Sequence, residues 1–295
     1  MTIHIVTDST SDIPQEIVNT LSISVVPLYI TLNGENYRDN IDLTREKFFQ
    51  DLPDSDPYPT TATPSPEQFK EVYDRAVEKG AHTIFSIHVS KSLSATCEVA
   101  ESAAKTYSRV PVHVVDSGNL SMAEGLVVIS AAKAAQAGKS EDEISAVIQS
   151  TIKRAHAYAK LDTIDYLLRG GRMSSIQHSI VSILGIKPIL KMNNHVSRME
   201  VARTKRKAFE RVLKTAIKAV PVADMFGITH ANVQDQVDEL VHELKEEYPD
   251  MPEPLVSDVT PALGVHVGPG ALCINWIESC EHYEAEKKGI RRWLP

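Results

Sequence analysis

The sequence predicts an α/β protein with a mostly parallel sheet in its first half and an α+β second half with a mixed sheet. Three observations predict it. Up to about residue 152, short β-branched runs alternate with helical patterns, the rhythm of strand–helix–strand units. Beyond residue 155 that rhythm gives way to a hairpin, helices and separated strands. At 295 residues and 42% hydrophobic content, the chain suffices for one large or two ordinary domains. We expect the division to fall between 1–158 and 159–295, with a polar tail from residue 278.

The elements follow in order. Residues 3–7 read as a strand that runs into Asp8-Ser9-Thr10-Ser11-Asp12. Pro14 opens a short helix to about residue 21. Residues 23–32 hold one or two strands, and Asn33-Gly34 is a turn. Residues 43–52 form a helix with Thr44 as cap and Phe48 and Phe49 facing inward. Residues 53–66 carry five prolines and read as a loop. A helix over 67–79 stops at Gly80. Residues 83–89 read as a buried strand that passes through Ser90, Lys91, Ser92, Leu93 and Ser94 into a helix from Thr96. A strand over 111–115 and a helix over 120–137 come next. Ser140 and Glu143 make a capping box for a helix burying Ile144, Val147, Ile148 and Ile152.

In the second half, residues 156–161 read as a strand and 164–168 as a helix before Gly170-Gly171. A further helix is expected over 174–184, then a hairpin of 186–192 and 195–202 around Asn193-Asn194. Helices over 205–220 and 233–248 and strands over 224–229, 255–259 and 271–277 complete the series. The charged tail is read as a short helix on the surface or against a partner.

Composition excludes several classes of function. The net charge of −8, without a basic stripe, argues against nucleic acid. Cys97, Cys273 and Cys280 are too few and scattered for a disulfide framework, which suits a reducing cytosol. The N-terminal MTIHIVTDST reads as a strand rather than a signal peptide, and no stretch has the length of a membrane span. The chain therefore reads as soluble and cytoplasmic. It has no P-loop, no dinucleotide fingerprint after the first strand, no nucleophile elbow and no zincin motif. Cys273, Cys280 and His282 lack a familiar zinc spacing, so neither metal nor cofactor is expected.

Several stretches suggest an anion site. The hydroxyl-rich turn before Thr96 offers serine donors and the free N–H groups of a helix N-terminus, although an ordinary N-cap uses the same residue types. Thr60, Thr61 and Thr63 crowd a proline-rich loop; Ser65 with Pro66 explains one cap but not three threonines. Residues 264–271 place His266 in a glycine-rich loop, where backbone can approach a ligand. Arg203 stands at the end of the predicted hairpin, positioned to pair with a carboxylate or phosphate. Arg169 and Arg172 flank a glycine turn, where they would bind phosphate or a partner, or simply favour a helix C-terminus. A Ser94–His266 hydrolase or transferase pair is the enzymatic alternative, although the sequence identifies no orienting acid.

Taken together, these motifs resemble the DegV family of bacterial fatty-acid-binding proteins over roughly residues 1–277. The resemblance rests on Val6-Thr7-Asp8-Ser9-Thr10-Ser11-Asp12, Thr61-Ala62-Thr63-Pro64-Ser65-Pro66, Leu93-Ser94-Ala95-Thr96 and Val115-Asp116-Ser117 with Ser121. Asp162-Thr163, Arg169-Gly170-Gly171-Arg172, Lys187-Pro188-Ile189-Leu190, Arg203-Thr204 and His266-Val267-Gly268-Pro269-Gly270-Ala271 complete it. It implies a two-domain fold with a long-chain fatty acid between the domains. Thr61 and Ser94 would hold the carboxylate, with Arg203 and His266 beside it. Thr63, Ala62, Ala95, Arg169, Arg172 and Gly268 would be secondary ligand or partner contacts. The family is similar to the acyl-carrying subunit of fatty acid kinase, which implies a separate kinase partner; a lipid-sensing regulatory module is the other non-enzymatic reading. Ala62 and Thr63 depart from the family's usual Ser and Gln, and Ala95 from its usual Gly.

Overall fold

The computed structural model describes residues 2–173, 185–193 and 196–288. The helix expected over 174–184 lies outside them, as do the turn residues 194–195 and the end of the tail. The first half runs β1 (Ile3–Asp8), α1 (Gln15–Thr20), β2 (Ser24–Val26), β3 (Tyr29–Leu32), β4 (Glu35–Arg38), α2 (Arg45–Asp51), β5 (Thr60–Ala62), α3 (Pro66–Glu78), β6 (Thr83–His88), α4 (Thr96–Lys105), β7 (Val112–Asp116), α5 (Ser121–Gln136) and α6 (Glu141–Arg154). The capping chemistry appears as expected: the Thr44 side chain accepts from Lys47 N, and Ser65 and Ser140 make reciprocal capping boxes with Gln68 and Glu143.

One parallel sheet has the order β2-β1-β6-β7. The chain leaves β1 to one side for β2 and returns on the other for β6, so the order of strand succession switches between these two parallel neighbours. The carboxyl ends of such strands leave a crevice, the usual ligand position in open α/β sheets. A small antiparallel sheet, β4-β3-β5, stands beside it. β5 corrects the expectation of an unstructured proline loop. Thr60, Thr61 and Ala62 pair with Thr31, Ile30 and Tyr29, between Pro59 and Pro64.

The second half runs β8 (Ala155–Lys160), α7 (Asp165–Arg169), β9 (Lys187–Asn193), β10 (Val196–Ala202), α8 (Lys205–Ala219), β11 (Ala223–His230), α9 (Gln234–Glu247), β12 (Leu255–Asp258), α10 (Pro261–Val267), β13 (Leu272–Glu278) and α11 (Cys280–Lys287). Its sheet has the order β10-β9-β8-β13-β11-β12 and is antiparallel except where β11 meets β12. The division expected between residues 158 and 159 falls inside β8; the whole strand pairs within this second sheet. The glycine-rich stretch expected as a loop contributes its first part to α10, so His266 sits on a helix.

α5 lies between the two sheets. It packs on β1 on one side and on β8, β11 and β13 on the other. Leu126, Val127, Val128 and Ile129 are all buried, so this helix has no solvated apolar-to-polar divide along most of its length. Each such side chain contributes about 1.5–3 kcal/mol by burial. α5 thereby fixes the distance between the sheets and the room left beside it.

Candidate functional site

The carboxyl end of β1 turns at Asp8, whose carboxylate organises the crevice. Asp8 Oδ1 accepts from Thr10 N at 3.0 Å and from the Thr10 hydroxyl. Asp8 Oδ2 accepts from Val89 N at 3.1 Å and faces His88 Nδ1 at 3.1 Å, tying the end of β1 to that of β6. Burial raises the Asp8 pKa, but His88, Thr10 and Val89 together outweigh it, and the net direction is down. Glu124, on α5, is wholly buried. Burial, with Asp8 nearby, raises its pKa well above the usual carboxylic value, and the Thr7 hydroxyl donates to it. This network holds the backbone that presents Thr10, Val89, Leu93 and Ser94.

Those four residues line a cavity of about 130 Å³ between the two sheets. Its walls are mainly aliphatic. Leu28, Leu120, Leu161, Leu190, Met192 and Val259 come from both halves, with Ala157, Ala159 and Cys273 from the second sheet. The polar side chains on the wall are few: Thr10, Thr61, Ser94, Ser121, Arg172, Lys191, Thr229 and His266. A largely apolar cleft with few convergent polar groups is the usual form of a small-molecule site.

Thr61 and His266 are brought into direct contact. The pleat of β5 leaves Ala62 exposed and turns Thr61 inward. Thr61 Oγ1 lies 3.1 Å from His266 Nε2, linking the small sheet to α10. Burial pushes the His266 pKa down to about 4, helped by the charge on Arg172. The ring is therefore neutral at pH 7. Its Nδ1 lies against Gly170, whose backbone is near enough to favour a proton there but not placed to bond it, and Nδ1 has no hydrogen-bond partner. A Cβ at position 170 would sit 2.2 Å from Nδ1, so the close seat of the imidazole requires glycine there.

Ser94 lines the same cavity from the turn after β6. Its Oγ is 2.9 Å from the Thr96 hydroxyl and 3.3 Å from Thr96 N, a local cap at the start of α4. Ala95 occupies the N-cap position and makes no side-chain cap bond. Arg172 donates from Nε to Leu93 O at 3.4 Å and from Nη1 to Gly170 O at 3.0 Å, which holds its guanidinium at the cavity wall.

The remaining expected residues lie elsewhere. Arg203 is exposed just before α8 and is not on the cavity wall. Arg172, expected only as a secondary contact, is the arginine on the cavity wall. Arg169 places its guanidinium 5.1 Å from the centre of the Tyr58 ring, a cation–π contact outside the cavity. Thr63 and Gly268 also lie off the wall; the Gly268 backbone abuts the Tyr166 ring. Thr10, Ser121 and Thr229 are wall residues without a role in the sequence reading, although Asp8-Ser9-Thr10 at the end of a strand was the signal for the first of them. Among the described residues no helix is long and apolar enough to cross a membrane.

Fold and site together define an α/β protein of two principal sheets that enclose an apolar cavity with a small polar rim. Residues 2–279 match the DegV family model, described as "Uncharacterised protein, DegV family". The chain is 34% identical over 272 residues to a DegV domain-containing protein of Streptomyces coelicolor, covering 92% of this chain and 96% of that one. It belongs to the DegV family. Its fold is similar to the crystal structure of DegV, a fatty acid binding protein from Bacillus subtilis, with a TM-score of 0.86 and 30% identity over 95% of this chain and 100% of that one. A DegV family protein from Thermus thermophilus, whose structure concerns its fatty acid binding, matches with a TM-score of 0.82 and 30% identity over 95% and 100% of the two chains.

Proposed function

We propose that the cavity holds a long-chain fatty acid, with the carboxylate at Thr61, Ser94, His266 and Arg172 and the acyl chain along the aliphatic walls. The observation that carries this reading is the composition of one cavity: aliphatic side chains from both sheets, with the Thr61–His266 pair, the Ser94 hydroxyl and the Arg172 guanidinium among the few polar groups. Burial of the chain supplies about 0.8 kcal/mol per CH₂, and hydrogen bonds to the carboxylate orient it. The solved relatives from Bacillus subtilis and Thermus thermophilus, described as fatty acid binding, support it. Arg172 replaces Arg203 in this assignment because only Arg172 lines the cavity.

In the same reading the bound acid is presented to a separate kinase that makes the acyl phosphate, since the chain itself carries no P-loop. A serine hydrolase is less well supported. His266 is engaged with Thr61 and Ser94 with Thr96, and no carboxylate faces His266 Nδ1 among the described residues.

Native mass spectrometry and organic extraction of the purified chain test the reading. The expected result is one co-purified fatty acid per chain, exchangeable for palmitate. Thr61→Val and Ser94→Ala should each weaken palmitate binding about tenfold. Absence of both native lipid and palmitate binding would overturn the proposal.

A further inference from the structure

α11 begins at Cys280, just past the end of the family match at residue 279, and a buried histidine–glutamate cluster fastens it to the second sheet. Glu278, the last residue of β13, is 1% exposed, and His282, in the first turn of α11, is 7% exposed. His282 Nδ1 contacts Glu278 Oε1 directly. Glu286, one helical turn further on, brings a second carboxylate to the same point. One ligand atom from each of Glu278, His282 and Glu286 lies within 4.8 Å of the others.

Asn193 and His156 fix the orientation of Glu278 in this cluster. Asn193 Nδ2 donates to Ala155 O at 3.1 Å, which sets the orientation of its amide. The same nitrogen stands 2.9 Å from His156 Nδ1, which must then accept. The proton of His156 is thereby placed on Nε2, which faces Glu278 Oε2 at 3.3 Å. The ring is further held by stacking on Trp276, with centroids 4.7 Å apart and planes 14° apart. His156 is a donor that orients one oxygen of Glu278 and leaves the other turned toward His282. An outer imidazole or carboxylate holding an inner ligand in this way is the common second layer of a metal site.

We propose that Glu278, His282 and Glu286 bind a divalent transition-metal ion of the zinc type, that His156 orients Glu278 for it, and that the ion pins α11 to the second sheet. One imidazole nitrogen with carboxylate oxygens suits zinc, whereas magnesium and calcium favour oxygen-only sets. Three protein ligands leave a fourth position for water. The set escaped the sequence reading because it pairs His282 with glutamates one turn to either side rather than with cysteines.

The test uses the full chain, stripped with a chelator and titrated with zinc by calorimetry, with thermal unfolding followed in parallel. We expect one equivalent bound at about micromolar Kd or tighter and a rise in Tm of several degrees. The cobalt-loaded protein should show visible ligand-field absorption. His282→Ala would leave Oε1 of buried Glu278 without its partner with or without a metal, so Glu286→Gln is the informative variant. The Glu286 carboxylate makes no hydrogen bond or ion pair among the described residues. The substitution should leave the metal-free Tm unchanged while weakening zinc binding at least about tenfold. Equal zinc affinity in wild type and Glu286→Gln, or no zinc uptake by the wild type, would overturn the proposal.

Discussion

The two ends of α10 hold ionisable groups under opposite constraints. At the amino end, two buried carboxylates accept backbone N–H groups. Asp12 Oδ1 accepts from Thr260 N at 2.9 Å, and Asp39 Oδ1 accepts from Ala262 N at 3.0 Å. Burial raises the pKa of Asp12 to about 7 and that of Asp39 to about 6, although Arg45 pulls both down. At the carboxyl end, burial pushes His266 the other way, to about 4. The amino end is an anchor: both oxygens of Asp12 and Oδ1 of Asp39 are taken up by Ser121 and by the backbone of the helix they hold. The carboxyl end is left with an imidazole beside a hydroxyl and a guanidinium, facing a cavity. A short helix can thus hold an imidazole against the cavity on one end because the other end is tied to the first half of the chain.

The largest effect should come from cutting the anchor. Asp12→Ala strands Thr260 N and leaves the Ser121 hydroxyl with Thr229 alone, and is expected to cost about 2–4 kcal/mol in urea unfolding. A cost below about 1 kcal/mol would show that the two ends of α10 are not so different. Next, the pH dependence of stability should separate them by sign. His266 titrates lower when folded, so its contribution is present above about pH 6.5 and is lost as pH falls toward 4. Asp12 titrates higher when folded, so its contribution is present below about pH 4 and is lost as pH rises toward 7. Asp12→Asn should therefore flatten the decline in stability between pH 4 and 7, and His266→Asn should steepen it. Each changes the slope by at most about 1.4 kcal/mol per pH unit. Slopes that shift in the same direction would contradict the contrast. The smallest test concerns the cavity end alone. Arg172→Ala should weaken palmitate binding about tenfold, while Arg203→Ala should change it less than about twofold.

Much of this arrangement was legible in the sequence. The strand over residues 83–89, its turn and the following helix could be read because a β-branched apolar run and a 3.6-residue pattern meet at hydroxyl residues. The parallel first half followed from the same alternation. Two site elements were hidden by residues that carried a different meaning. The prolines around Thr61 suggested a loop, yet Pro59 and Pro64 lie just outside a three-residue strand that keeps its pairing. The glycines around His266 suggested a loop as well. Gly264 is helical, and a Cβ there would stand 2.5 Å from the Phe48 ring, so this glycine serves contact between α10 and α2 rather than chain reversal. The choice between Arg172 and Arg203 was beyond pattern reading, because both follow recognisable motifs and only the packing of Arg172 on Leu93 O and Gly170 O puts it on the cavity wall.

The position of α5 has a consequence for how the molecule comes apart. Its apolar sides are shared between β1 and the trio of β8, β11 and β13, and Ile277 of β13 belongs to the same buried cluster as Ile5 of β1. Neither sheet can shed this helix without exposing aliphatic surface that the other was covering. Folding should therefore be cooperative across the whole described chain, with one transition in denaturant rather than two. A fragment ending after α6 would present the vacated side of α5 to water and would be prone to self-association.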